Sequence, residues 1–411
     1  MRSVLIVGAG QAGLQLALGL QAQGHDVTVL TDRTADEIRT GRVMSTQCMF
    51  ATALGHERAL GLDFWADQAP DLVGLGVSVA EPGGGRATDW LGRFTAPAQS
   101  VDQRVKMAGW LETFAERGGR VVVHAASVSD VDWFATAYDL CLVAAGRGEL
   151  VSMFARDAAR SPHTTAQRAL AVAYVHGLGP RPEHPGTDAV RCNLVPGVGE
   201  LFVIPALTTS GRCDILFWEA LPGGPADIFQ GVRDPDEHLR RTLELMARHV
   251  PWEYERAAAV ELTDAGATLT GRLVPTVRRP IAELPSGGLA LGVADVVVAN
   301  DPITGQGANN AARCAAHYLA AIAGHGERPF DRAWMQAAFD GFWAVAEPAT
   351  RWTHAMLAPP PAHVLGLIGA AGELQPVADR FADGFDNPAD FDDWFYEPER
   401  AAAYLAQVRA G

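Results

Sequence analysis

The sequence predicts an α/β protein with an inserted antiparallel sheet and a helical C-terminus, on three observations. An apolar strand, a glycine-rich turn and a helix open the chain. Its middle alternates short apolar runs with Gly/Pro-rich turns, as antiparallel strands do. Its end is rich in Ala, Trp and Phe at helical spacing. With 411 residues, 48% hydrophobic and 20% charged, the chain is long enough for several compact parts and too apolar to remain unfolded.

Residues 3–7 (SVLIV) form a short apolar run of the kind buried on both faces of a parallel sheet. They lead into Gly8, Ala9, Gly10, Gln11, Ala12 and Gly13; residues 14–23 then read as a helix stopped by Gly24, and residues 26–30 as a second strand. This Rossmann-like βαβ unit is the fingerprint of a dinucleotide site. Glycine lets the backbone approach a pyrophosphate, and the helix N-terminus offers it unpaired N–H groups. The acid that commonly closes the second strand is displaced: Thr31 holds its place and Asp32 follows, still within reach of a ribose. Residues 121–124 and 139–144 read as further strands, the second leading to Gly146, a turn that either closes over a cofactor or is simply structural. From about residue 167 to 279 the pattern is that of a separate substrate-covering sheet, with strands around 201–204 and 214–218. The expected division is therefore 1–166 and 280–330 for the two parts of the nucleotide-binding domain, 167–279 for the sheet and 331–411 for the helical region.

A second motif lies in residues 289–310, LALGVADVVVANDPITGQGANN. An apolar strand delivers Asp295, and a glycine-bearing loop opens an alanine-rich helix at about residues 308–321. An acid so placed can bond ribityl hydroxyls. Gly305, Gln306 and Gly307 can aim N–H groups at the side of an isoalloxazine ring where reduced flavin carries negative charge. Together with Gly8, Gly10 and Gly13, this motif would grip the other end of one FAD. No second G-x-G-x-x-G exists for a separate nicotinamide domain, so reducing equivalents arrive through a transient NAD(P)H site or from another protein.

The net charge of −15 disfavours nucleic acid and anionic membranes as partners. Cys48, Cys141, Cys192, Cys213 and Cys314 are odd in number and scattered, which suits a reducing compartment. With no secretory leader and no span-length apolar run, a cytoplasmic protein is expected. The twelve histidines show no metal spacing, so no metal is expected, and no Ser-His-Asp or paired-carboxylate set is evident. The acidic run 383–393 reads as a solvated face.

Several segments resemble the epoxidase component of the two-component styrene/indole monooxygenases: GAGQAGL and VTVLTDR near the N-terminus, VDQR ending at Arg104, DPITGQGAN at 301–309, ATRWTHAML at 349–357 and the PER following Glu397. The resemblance implies a hydroxylase-type FAD domain that takes reduced FAD from a separate NADH-dependent flavin reductase and reacts with O2 through a C4a-hydroperoxide. It adds Arg33, Arg104, Pro302, Ala308 and Asn309 to the expected cofactor residues, beside Gln11 and Ala12 of the first loop. It also bears on substrate. Styrene-type members carry Asn, Val and His where this chain has Ser45, Gln47 and Met49, and serine where it has Ala98; indole-type members match this chain. Indole epoxidation leading to indigo is thus the expected activity, with styrene as the alternative; a homodimer is left open.

Other readings stay on the table. A self-sufficient hydroxylase would oxidise NAD(P)H without a partner. A tryptophan-type halogenase would need W-x-W-x-I-P, which is missing, and a reactive lysine, whereas Lys106, the only lysine, sits in a helix-like segment. A non-enzymatic protein-binding module on a related fold is disfavoured by intact motifs for both ends of FAD. His354 could line the flavin pocket, while Arg351 and Trp352 read more simply as structural contacts.

Overall fold

Strand Ser3–Val7 sits inside a six-stranded sheet, flanked by Asp26–Thr31 and Leu140–Val143, with Arg120–Val123 beyond the former and Leu289–Gly292 then Ile281–Glu283 beyond the latter. All neighbours run parallel except the outermost pair, Ile281–Glu283 with Leu289–Gly292. Val4, Leu5 and Ile6 are fully buried, as a strand covered on both faces requires. This computed structural model describes residues 1–146 and 148–410. Helix Gln11–Ala22 packs on helix Gln306–His325, so the two glycine-led helices lie side by side.

The second sheet has eight strands and is mixed. Its order is Glu261–Leu262, Ala169–His176, Gly211–Ala220, Gly199–Thr208, Val190–Val195, Leu72–Ala80 and Arg86–Ala98, with Thr268–Arg272 also on Ala169–His176. Leu72–Ala80 and Arg86–Ala98 thus come from the stretch expected to serve the nucleotide-binding half. They join because Leu72, Leu75, Val77 and Trp90 bury an apolar face, and Leu72–Ala80 pairs in parallel with Val190–Val195.

The C-terminal helices close one face of this sheet. Helix Gln375–Asp383 lies along Arg86–Ala98, and Trp90 donates its ring N–H to the Ile368 carbonyl at 2.9 Å. Trp352, at the core end of helix Arg332–Leu357, packs against Phe385 and Phe391 at ring separations of 4.5 and 4.7 Å. The acidic run is not the solvated face it reads as. Asp383 accepts from the Thr95 N–H and hydroxyl and Asp386 from the Thr52 N–H and hydroxyl, while Asp379, just before the run, accepts from the Arg93 N–H. These carboxylates satisfy edge-strand and helix-start N–H groups that would otherwise be left without partners. No helix among the described residues is long and apolar enough to cross a membrane.

Candidate functional site

The turn expected on the adenine side is built by steric fit. Gly8 has φ +118°, and a Cβ there would come within 2.8 Å of the Ala145 nitrogen. A Cβ at Gly13 would lie 2.1 Å from the Gly8 carbonyl oxygen, so the first helical turn can pack on the strand end only with glycine at this position. A Cβ at Gly10 would instead meet nothing within 4 Å. Helix Gln11–Ala22 starts there with no side-chain cap and no acid in its first turn, so its first N–H groups meet no side chain on the open side. Helices Gln103–Glu116, Pro235–His249 and Arg332–Leu357, by contrast, are capped by Asp102, Asp234 and Asp331.

Other adenine-side residues divide into free and engaged. Asp32 stands exposed after the second strand, 3.6 Å from Arg33. Ala12 is buried on the helix, and the Gln11 side chain turns inward, donating to Glu57 at 2.9 Å and Gln15 at 3.1 Å. Arg104 departs from expectation. Its guanidinium, 2% exposed, donates to Asp102, Asp264, Thr208 and the Gly41 carbonyl. All five of its N–H groups are thereby used in joining helix Gln103–Glu116 to the second sheet, and none is left for a cofactor.

Gly146 and Asp295 meet across the paired ends of Leu140–Val143 and Leu289–Gly292, where a Cβ on Gly146 would lie 3.1 Å from that of Asp295. Asp295 is exposed there. Ala294 before it has φ 50°, the one non-glycine residue with positive φ among the described residues, and it marks local backbone strain of the kind stored at functional sites. Nothing in the sequence signals it.

The turn expected on the ring side is held from far away in the chain. Asp301 caps the short turn Pro302–Thr304 by accepting from the Ile303 N–H at 3.2 Å, and Gly305 follows with φ 64°. Helix Gln306–His325 again starts without a capping side chain or a first-turn acid, and Gly307 faces open space. Gln306 points inward to the Thr304 and Phe385 carbonyls, and Thr304 bonds Thr353 at 2.6 Å. Asn309 works as a clamp. Its amide donates to the carbonyls of Cys48 and Gly305, both at 2.8 Å, and accepts from the Phe50 N–H at 2.9 Å. The side chains of Gln306 and Asn309 are therefore engaged with protein, leaving their backbone N–H groups at the helix start. Close by, the buried Asn300 amide has no protein partner at either polar atom. Two uncapped helix starts, each with a glycine that opens onto space, and an orphan amide near the second fit a dinucleotide flavin.

Through the clamp, the segment carrying Ser45, Gln47 and Met49 is fastened to the ring-side turn. Ser45 donates to the Gln47 amide oxygen at 2.7 Å, and Tyr174 donates to the Ser45 carbonyl at 2.8 Å. Burial holds the Tyr174 phenol well above its ordinary pKa, so it stays a donor. Met49 pairs backbone to backbone with Gln99, next to Ala98, but its side chain packs with Ala53, Leu54, Ala308 and Ala312, whereas Ala98 joins the separate core of Cys48, Phe50 and Leu72. Lys106 holds Glu57 at 2.8 Å and the Met49 sulfur at 3.2 Å. The Cys48 thiol is pushed up to about 12 by burial and offers no nucleophile. Trp352 and Arg351 make structural contacts, the latter with Asp392. His354, pushed down to about 4 by burial, lies against His163 with no partner for either ring nitrogen. Tyr174, Asn300 and Ala294 are absent from the sequence-based set because their roles depend on contacts between distant segments or on one backbone angle.

Residues 146–256 match the family model described as "Styrene monooxygenase A putative substrate binding domain". The chain is 31% identical to the styrene monooxygenase StyA of Pseudomonas fluorescens, over 98% of this chain and 97% of that one, and equally to a StyA from a Pseudomonas species. Among solved structures, the flavin-dependent brominase Bmp2 superposes with a TM-score of 0.70 over 100% of both chains at 15% identity. A flavoprotein/dehydrogenase from Cytophaga hutchinsonii gives 0.67 over 95% of this chain and 94% of that one at 13% identity. At such identities the two structures speak to the fold alone. The fold, the two glycine-led helix starts and the full-length match with StyA lead to one conclusion: the chain belongs to the styrene monooxygenase family, the FAD-using oxygenases of two-component flavin monooxygenase systems.

Proposed function

We propose that this oxygenase epoxidises a flat aromatic alkene, with indole favoured, using reduced FAD delivered by a separate NADH-dependent flavin reductase. The observation that carries the reading is the Asn309 clamp, since the segment holding Ser45, Gln47 and Met49 is hydrogen-bonded to Gly305 through one amide. A side chain changed in that segment is felt where the ring would lie.

In this reading the N–H groups of Gly10 to Gly13 hold the pyrophosphate, and Asp32 and Arg33 lie on the adenosine side. Asp295 and Gly146 flank the ribityl chain, and Pro302 and the N–H groups from Gly305 to Ala308 meet the ring. Bound reduced FAD supplies the redox chemistry, in which one atom of O2 goes to the alkene, the other leaves as water and the flavin ends oxidised. The protein's own work is placement and exclusion of water. Ser45 fixes the Gln47 amide so that its oxygen keeps a second lone pair, able to accept from an indole N–H. Met49 and Ala98, 1% and 0% exposed, are packed in two neighbouring apolar clusters that hold the segment on either side.

Styrene is the second reading, favoured by the names of the relatives; it carries no N–H and has no use for that acceptor. Turnover with FAD, NADH and an unrelated flavin reductase, offered indole and styrene in separate reactions, decides between them. Indigo without styrene oxide is expected. Preference for styrene overturns the indole assignment, and failure to bind FAD overturns the reading as a whole.

A further inference from the structure

A sealed cluster of acids lies where the second sheet meets the ring-side turn. The register of Gly199–Thr208 with Gly211–Ala220 places Glu200 directly opposite Glu219. Arg168 spends itself on the first of these, donating to the two Glu200 oxygens at 2.7 and 3.0 Å and, with its remaining nitrogen, to the Gln167 carbonyl at 3.0 Å. Glu219 is 0% exposed, and neither of its oxygens has an N–H or hydroxyl donor. Asp301, also 0% exposed, uses one oxygen for the Ile303 N–H, and its other oxygen likewise has no such donor. What remains to each is the other: the two carboxyl groups face one another and interact side chain to side chain.

A hydrogen bond between two carboxyl groups needs a proton on one partner. Three carboxyls beside a single guanidinium, away from water, require that at least one stay neutral. Asp301 has an N–H favouring its charged form and Glu219 has none, which puts the proton on Glu219. Burial raises the Glu219 carboxyl well above its ordinary pKa, and the charges of Asp301 and Glu200 push in the same direction against Arg168. The other titratable group facing it is the Cys192 thiol, itself raised by burial and by these acids.

We propose that Glu219 is a positioning residue: it keeps its proton, donates it to Asp301, and so lets the substrate-covering sheet set the place of the Pro302–Gly305 turn against the flavin ring. This rests on the reading of that turn as the ring site. The bond ties the second sheet to the start of helix Gln306–His325, adding a directional contact to the apolar packing of Ile303 against Phe202 and Phe217.

Glu219→Gln keeps a donor of the same shape, whereas Glu219→Leu fills the space without one. Full-length wild type and both variants are titrated with FAD by flavin fluorescence, with thermal melting as the control for folding. The Gln variant is expected to bind FAD within about threefold of wild type and the Leu variant to bind at least about tenfold more weakly, as loss of a hydrogen bond to a charged acceptor implies. Wild-type-minus-Gln infrared spectra at neutral pH are expected to show the carbonyl band of a protonated carboxylic acid. A missing band, or equal FAD affinity in the Gln and Leu variants, overturns the proposal. If the Leu variant does not fold, the infrared difference on the Gln variant decides alone. Wild type that binds no FAD overturns the ring-site reading instead, a result the infrared band does not depend on.

Discussion

The two helix starts that face the cleft are alike in lacking a cap, but they are built in different ways. At Gly10 the strand, turn and helix lie within one stretch of sequence, with Gly8 and Gly13 fitted against each other and against the backbone end at Ala144 and Ala145. At Gly305 the turn is assembled. Asn309 ties it to Cys48 and Phe50, Thr304 to Thr353, Gln306 to Phe385 and Asp301 to Glu219. The adenine end of the site is therefore expected to tolerate damage elsewhere in the molecule, and the ring end to depend on it.

Trp352→Ala gives the strongest test of that difference. Removing a fully buried indole ring from between Phe385 and Phe391 is expected to cost about 3–5 kcal/mol of stability, read from chemical denaturation. Whatever remains folded should still bind ADP at the adenine end while losing affinity for riboflavin-bearing ligands. Equal loss of both would show the two ends to be one cooperative unit. Gly13→Ala is the converse, with a smaller effect on stability. A methyl group 2.1 Å from the Gly8 carbonyl forces the turn open, and overpacking of this kind costs roughly 1–3 kcal/mol. FAD should then be lost on gel filtration while the packing of Trp352, followed by its fluorescence, is unchanged.

The smallest expected effect is on pH dependence. Burial lowers the His354 imidazole to about 4. The unfolded chain takes up this proton nearer its ordinary value, about 6.5, so the stabilisation is present above that value and is lost as pH falls toward 4. His354→Gln should flatten that acid limb by about 1 kcal/mol, a figure discounted for the partial exposure of the ring. Because His354 adjoins Thr353, which bonds the ring-side turn, loss of FAD affinity over the same interval should follow in wild type and not in the variant. An unchanged acid limb would remove His354 from the ring-side account.

The same contrast explains which features were legible in the sequence. The βαβ unit, the displaced acid at Asp32, Asp295 after its strand and the helix opened by Gly305 are all local patterns. The acidic run was misread because a carboxylate that binds the Thr95 N–H looks, in sequence, like one that binds water. Arg104 was expected at the cofactor, yet its partners Asp264 and Thr208 lie more than a hundred residues away. Tyr174 sits in a strand whose existence could be read but whose contact with Ser45 could not.

By itself the sequence determined the class of fold and the two glycine-led turns, because strand and helix periodicity and glycine sterics act over a few residues. Only the tertiary structure decided which polar groups were already spent, that Asn309 is a clamp, and that Glu219 and Asp301 face one another in a dry space. Hydrogen bonds and charge pairing are settled by whichever groups folding brings within about 3 Å, and their neighbours in sequence give no sign of the partner.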